Sequence, residues 1–159
     1  MRIEERKLGR IFRLTFEPGE DFFARMSAFA RERRIQEATL FLFGALAEGE
    51  MITGFRKAEG YDVIRRPLGR WREFLAVGSL TWPDSPPQAL GEDVRWESPQ
   101  PYVHLHLALG PAAGEGQGEV LVGHLSKGVA KGLFADVFEL LCGEEAHVGE
   151  DDARRGHPG

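Results

Sequence analysis

Apolar and polar positions alternate along much of the chain at two spacings, and the spacings assign its elements. Residues 9–16 alternate with Phe12, Leu14 and Phe16 on one side, which predicts a first strand stopped by Glu17-Pro18-Gly19. From Glu20 to Arg34 the apolar positions become Phe22, Met26, Phe29 and Ala30, the spacing of a helix with one buried face. Glu20 and Asp21 fall in its expected first turn and Arg31, Arg33 and Arg34 in its last, where each charge complements the helix dipole. Residues 38–47 are almost continuously apolar, as in a strand covered on both faces, and Gly44 marks a bulge or a close backbone approach within it.

Further strands are expected over residues 50–55, 61–64, 70–82, 102–109, 119–125 and 133–141. Residues 83–101 hold Pro83, Pro86, Pro87, Pro99 and Pro101 and read as a long surface loop, since strand-like sequence resumes directly after it. The glycine-rich stretch 110–118 suits an antiparallel hairpin; Gly114-x-Gly116-x-Gly118 has no helix behind it and is not a nucleotide-binding fingerprint. Residues 149–159 are expected to form a frayed tail, leaving one domain over residues 1–148. The fold class expected is α/β in the α+β sense, mostly sheet with a packed helix or two.

Composition narrows the function. With 159 residues, 42% hydrophobic and 28% charged, the chain suits one ordinary globular domain. A formal net charge of −5 disfavours nucleic acid, whose binding rests on clustered Lys and Arg. The single cysteine, Cys142, excludes an intrachain disulfide and a Cys-rich zinc motif, and its apolar neighbours suggest a buried or half-buried small hydrophobe in place of a reactive thiol. No signal-like segment and no apolar run of about 18 residues is present, so a cytoplasmic protein is expected. The absence of Asn and the excess of Arg over Lys hint at a thermophilic source or a GC-rich genome.

The candidate chemistry lies in the hairpin. In Val103-His104-Leu105-His106-Leu107 the two histidines share a strand face, about 7 Å apart at a rise of ~3.4 Å per residue, while Val103, Leu105, Leu107 and Leu109 face the core. Opposed residues of an unbulged antiparallel pair have numbers of constant sum. A turn centred near Gly114 makes that sum about 228, which sets His124 opposite His104, and any even sum keeps all three histidines on one face. Three neutral imidazoles with a fourth position open are a ligand set that zinc accepts, and nickel, copper or iron also suit imidazole. His147 and His157 are expected to be surface residues.

In chain order, Phe16-Glu17-Pro18-Gly19-Glu20, Phe43-Gly44-Ala45-Leu46, Glu73-Phe74-Leu75-Ala76-Val77-Gly78-Ser79-Leu80, His104-Leu105-His106 and Gly123-His124-Leu125 resemble the motif series of the plant-and-prokaryote-conserved domain, abbreviated PPC or PCC, over about residues 8–142. Leu42 departs from the family's frequent glycine, and the Glu73-Phe74 order shifts the family's strand glutamate by a residue. The resemblance implies a twisted, largely antiparallel mixed sheet with flanking helices, a homotrimer, and a metal site at His104, His106 and His124. Plant members carry AT-hook segments; this chain has no Arg-Gly-Arg-Pro-like segment, so specific DNA binding is not expected. Stand-alone prokaryotic members have no established biochemical activity as a group. Three functions follow for testing: a trimeric metal-binding protein for a small ligand or for protein association; a metal-dependent enzyme with Glu48, Glu50 or Glu73 as general base; and a DNA-associated regulator.

Overall fold

The computed structural model describes residues 1, 3–59, 61–90 and 94–142. The tail at 149–159, His147 and His157 lie outside them. The elements are β1 (Arg6–Phe16), α1 (Phe22–Arg33), β2 (Ala38–Phe55), β3 (Val63–Leu68), β4 (Arg72–Thr81), β5 (Tyr102–Leu109) and β6 (Leu121–Cys142), with one 3-10 turn, Gln88–Leu90, in the long loop. The six strands form one sheet in the order β1-β6-β5-β4-β2-β3, and every ladder is antiparallel, not mixed. Among the described residues α1 is the one α-helix, and no helix is long and apolar enough to cross a membrane.

Two pairs of expected strands are each one long strand. Residues 38–47 and 50–55 join as β2, and residues 119–125 and 133–141 join as β6, because extra residues at register shifts between Ala45 and Glu48 and between Glu50 and Met51 bend the pair without ending it. Bending lets each strand serve two neighbourhoods. β2 pairs with β4 and β3 in succession along one edge and with β6 along the other, and β6 also pairs with β5, so the ladders β2-β4-β5-β6-β2 close on themselves. Gly44 permits one tight contact in this circuit: its φ is 134° and a Cβ there would lie 2.5 Å from the carbonyl oxygen of Gly132.

The core lies between the inner sheet face and α1. Phe22, Met26 and Ala30 are fully buried, Phe16 stacks beside Phe22 with ring centres 5.3 Å apart, and Phe12 meets Phe29 edge-on at 5.2 Å. The helix is two residues shorter at its start than the charge pattern suggests. Asp21 is its N-cap, accepting from Ala24 N at 2.8 Å, so the expected first-turn acids stand before the first turn. At the other end Arg31 and Arg33 occupy the last turn, and Arg34 takes the left-handed cap at φ 55°.

A bulge in β1 sets Gly9 and Arg10 opposite the single residue Glu139, which is buried. Arg10 donates from its backbone N and Nε to one Glu139 carboxylate oxygen (3.1 and 2.7 Å), and from Nη2 to the other (2.7 Å) and to the Arg33 carbonyl (2.9 Å). One guanidinium thus ties β1, β6 and the end of α1. Cys142 corrects the sequence expectation: it is exposed, because β6 runs out past the core at this edge, and it accepts from Arg6 Nη1 at 3.4 Å.

Arg10's side-chain hydrogen bonds hold the Glu139 carboxyl at about 2, against the pull of burial, which would raise it. A depressed carboxyl pKa contributes stability that is present above the unfolded value and lost as pH falls through the folded one. Urea unfolding of Glu139→Gln should show a constant loss of stability relative to wild type above about pH 5, shrinking as pH drops from ~4.5 towards ~2. A difference independent of pH would show that shape, not charge, holds this corner.

Candidate metal centre

Strand alternation builds the centre. Along β5, Val103, Leu105, Leu107 and Leu109 are buried, while His104 and His106 stand on the outer face, as the spacing requires. The β5–β6 register pairs His106 with His124, a sum of 230 instead of about 228, because the turn is centred one residue later than Gly114. The sum stays even, so the three histidines share one face. His124 also pairs with Ile52 of β2, and it is the buried member of the trio at 8% exposed.

The ligating nitrogens of His104, His106 and His124 all lie within 4.8 Å of one another. His104 Nε2 and His106 Nε2 are 3.2 Å apart, close to the ~3.3 Å between two ligands of a tetrahedral ion with ~2.05 Å metal–nitrogen bonds. The three rings open on a cleft of about 320 Å³ walled also by Ile52, Thr53, Phe55 and Tyr61, which leaves space for a fourth ligand.

The electrostatics favour the metal-ready form. Burial, reinforced by the neighbouring rings, pushes His124 down to about 4, and burial followed by repulsion from His106 lowers His104. Both imidazoles are therefore neutral near pH 7 and present a lone pair. Tyr102 stacks on His104 with ring centres 6.3 Å apart, steadying its plane.

The candidate carboxylates stand apart from this cluster. Glu50 is held by Arg65 Nη1 at 3.1 Å and Ser126 Oγ at 3.0 Å; burial raises its pKa, but the two hydrogen bonds and nearby cations outweigh it, leaving a poor proton acceptor. Glu73 is exposed opposite Ala45, four residues along β4 from Val77, the partner of His106, hence roughly 14 Å away at the strand rise. Glu48 is exposed on β2 opposite Val129. Among the described residues, the only group of three or more metal-capable side chains is the histidine trio.

A model of the Plants and Prokaryotes Conserved (PCC) domain matches residues 3–138. The chain belongs to the PCC domain family. Among solved structures, a plant- and prokaryote-conserved protein of Pyrococcus horikoshii is similar with a TM-score of 0.69 and 24% identity over 91% of this chain and 87% of that one. A metal-containing protein of Archaeoglobus fulgidus also has a TM-score of 0.69, with 22% identity over 89% of this chain and 87% of that one. A Ralstonia eutropha protein named as a candidate DNA-binding protein has a TM-score of 0.60 at 18% identity, over 81% and 76% of the two chains. At these identities the likeness shows the PCC fold alone. A search of curated proteins finds no significant match.

Sequence reasoning did not single out Gly123, although it precedes His124 in the Gly-His motif. A Cβ at Gly123 would lie 2.1 Å from the Ile52 carbonyl oxygen, so only glycine lets β2 approach β6 beside the histidine. Gly123→Ala should destabilise the fold by about 1–3 kcal/mol in urea unfolding. Gly116→Ala, where nothing lies within 4 Å, is the control and should be near neutral. Equal effects of the two would remove the close approach as a constraint.

Proposed function

We propose that this PCC-domain chain is a homotrimeric protein that binds one divalent ion, zinc by preference, through His104, His106 and His124, and serves ligand binding or protein association. The observation that carries the reading is the convergence of three imidazoles, two at tetrahedral ligand spacing, on one sheet face. The metal content of the structurally similar Archaeoglobus fulgidus protein supports it. When bound, such an ion would polarise a ligand or a water at the fourth position. The histidines' share is to hold three nitrogens on a rigid sheet facing the cleft.

Self-association is supported by the outer face of the sheet. Phe41, Phe43, Leu75, Val77 and Phe134 are each at least 39% exposed, and the ladders join them: Phe41 pairs with Val77, and Phe43 with both Leu75 and Phe134. A contiguous apolar patch of this kind marks an association surface. Val77 pairs in turn with His106, so the patch runs up to the histidines. The enzyme reading gains nothing from this geometry, since no carboxylate joins the trio among the described residues. DNA binding is opposed by the net charge of −5, which assembly would multiply.

Metal analysis of untagged protein after mild purification should find about one divalent ion per chain, with His104→Ala and His124→Ala together removing it. Protons compete only with imidazoles they can occupy, and the His104 and His124 values lie below the ordinary one. Zinc should therefore stay bound as pH falls from 7 to about 6 and leave at lower pH. Equal zinc in wild type and the double variant would overturn the site.

Light scattering at micromolar concentration should give three times the 17.7 kDa chain mass, and Leu75→Glu should reduce it to one. A wild-type monomer would overturn the assembly.

A further inference from the structure

A second and larger cavity, about 720 Å³, is lined by Leu90, Val94, Trp96 and Gln100 of the long loop and shares only His124 with the metal cleft. Its size is within the ~300–1,000 Å³ typical of small-molecule sites. Its walls are largely apolar. Phe23 of α1, Leu68 of β3, Leu90 of the 3-10 turn and Leu125 of β6 contribute, and Trp96 closes one side with its indole Nε1 donating to the Pro83 carbonyl at 3.1 Å.

The uncharged polar residues that line this space are Ser27, Gln100, Tyr102, His124 and Ser126. Ser126 donates to Glu50; among the described residues the Tyr102 and Ser27 hydroxyls have no protein hydrogen-bond partner, and Gln100 spends only its amide oxygen, accepting from Glu97 N at 3.2 Å. Both hydroxyls are half-buried and reachable by water, so a ligand that supplies acceptors can take the water's place on them. The charged lining residues are different: Asp21, Glu48 and Lys127 are exposed, carry both signs, and Asp21 already caps α1. An ion drawn into the interior would meet hydroxyls and an amide, with no buried counter-charge to offset its desolvation.

We propose that this cavity binds an uncharged aromatic small molecule bearing a hydrogen-bond acceptor, with Tyr102 and Ser27 as donors and Trp96 and Phe23 as apolar walls. The site needs no metal. Because His124 walls both spaces, the small molecule would sit directly behind the metal ligand without entering the cleft.

Isothermal titration of the metal-free full chain with 1-naphthol, and in parallel with 1-naphthoate, tests the proposal. Saturable 1-naphthol binding with a Kd below ~1 mM is expected, with 1-naphthoate at least about tenfold weaker. Tyr102→Phe, which removes an unpartnered hydroxyl, should fold normally and weaken 1-naphthol about fivefold to tenfold. Ser27→Phe should fill the space and abolish binding while leaving zinc content unchanged, with circular dichroism reporting its fold. No saturable binding by wild type, equal affinity for the two probes, or affinity unmoved in both folded variants would each overturn the proposal. Zinc content is read separately, so loss of the metal reading leaves this one standing, and the reverse holds.

Discussion

The centre depends on one constraint, the parity of the register between β5 and β6. Side chains alternate along a strand, so the pairing of His106 with His124 decides which face all three imidazoles occupy. A slip of one residue would send His124 to the opposite face and break the trio. A slip of two keeps it, which is why a turn displaced by one residue from Gly114 leaves the arrangement intact. Leu105, Leu107, Leu109 and Leu125, all buried, enforce the parity, since the same slip would expose part of the core.

The closed circuit of ladders makes that register rigid. β6 is held by β5 on one side and β2 on the other at His124, and the bends in β2 and β6 allow both contacts at once. Burial of the His124 ring keeps it neutral, and among the described residues no carboxylate joins the trio to oppose that effect. His104 and His106, nearer the surface, supply the adjustable side of the site. The same outer face continues through Val77 to the exposed phenylalanines, so metal binding and self-association would lie next to each other on one sheet.

Much of this was legible in the chain. Strict alternation in β5 placed its leucines and histidines correctly, and the 22, 26, 30 spacing identified the buried helix face. The motif order pointed to the family that the domain match then showed. Strand continuity was not legible, because a bulge and a loop look alike locally: Gly49 and the segment 126–132 carry loop-like residues that bend a strand when partners lie on both edges. Cys142 was misplaced for a similar reason, since its apolar neighbours give no sign that the strand has run past the core. The 83–101 loop was read from its prolines, but the cavity that its Leu90, Val94 and Trp96 line depends also on residues from α1, β3, β5 and β6 that no local pattern brings together.

Anomalous diffraction at the zinc edge from crystals of the zinc-loaded protein tests the central claim most directly. The account predicts one strong peak per chain with one nitrogen each of His104, His106 and His124 at ~2.0–2.1 Å and a fourth position facing the cleft. Zinc bound elsewhere, or held by fewer than all three histidines, would contradict it.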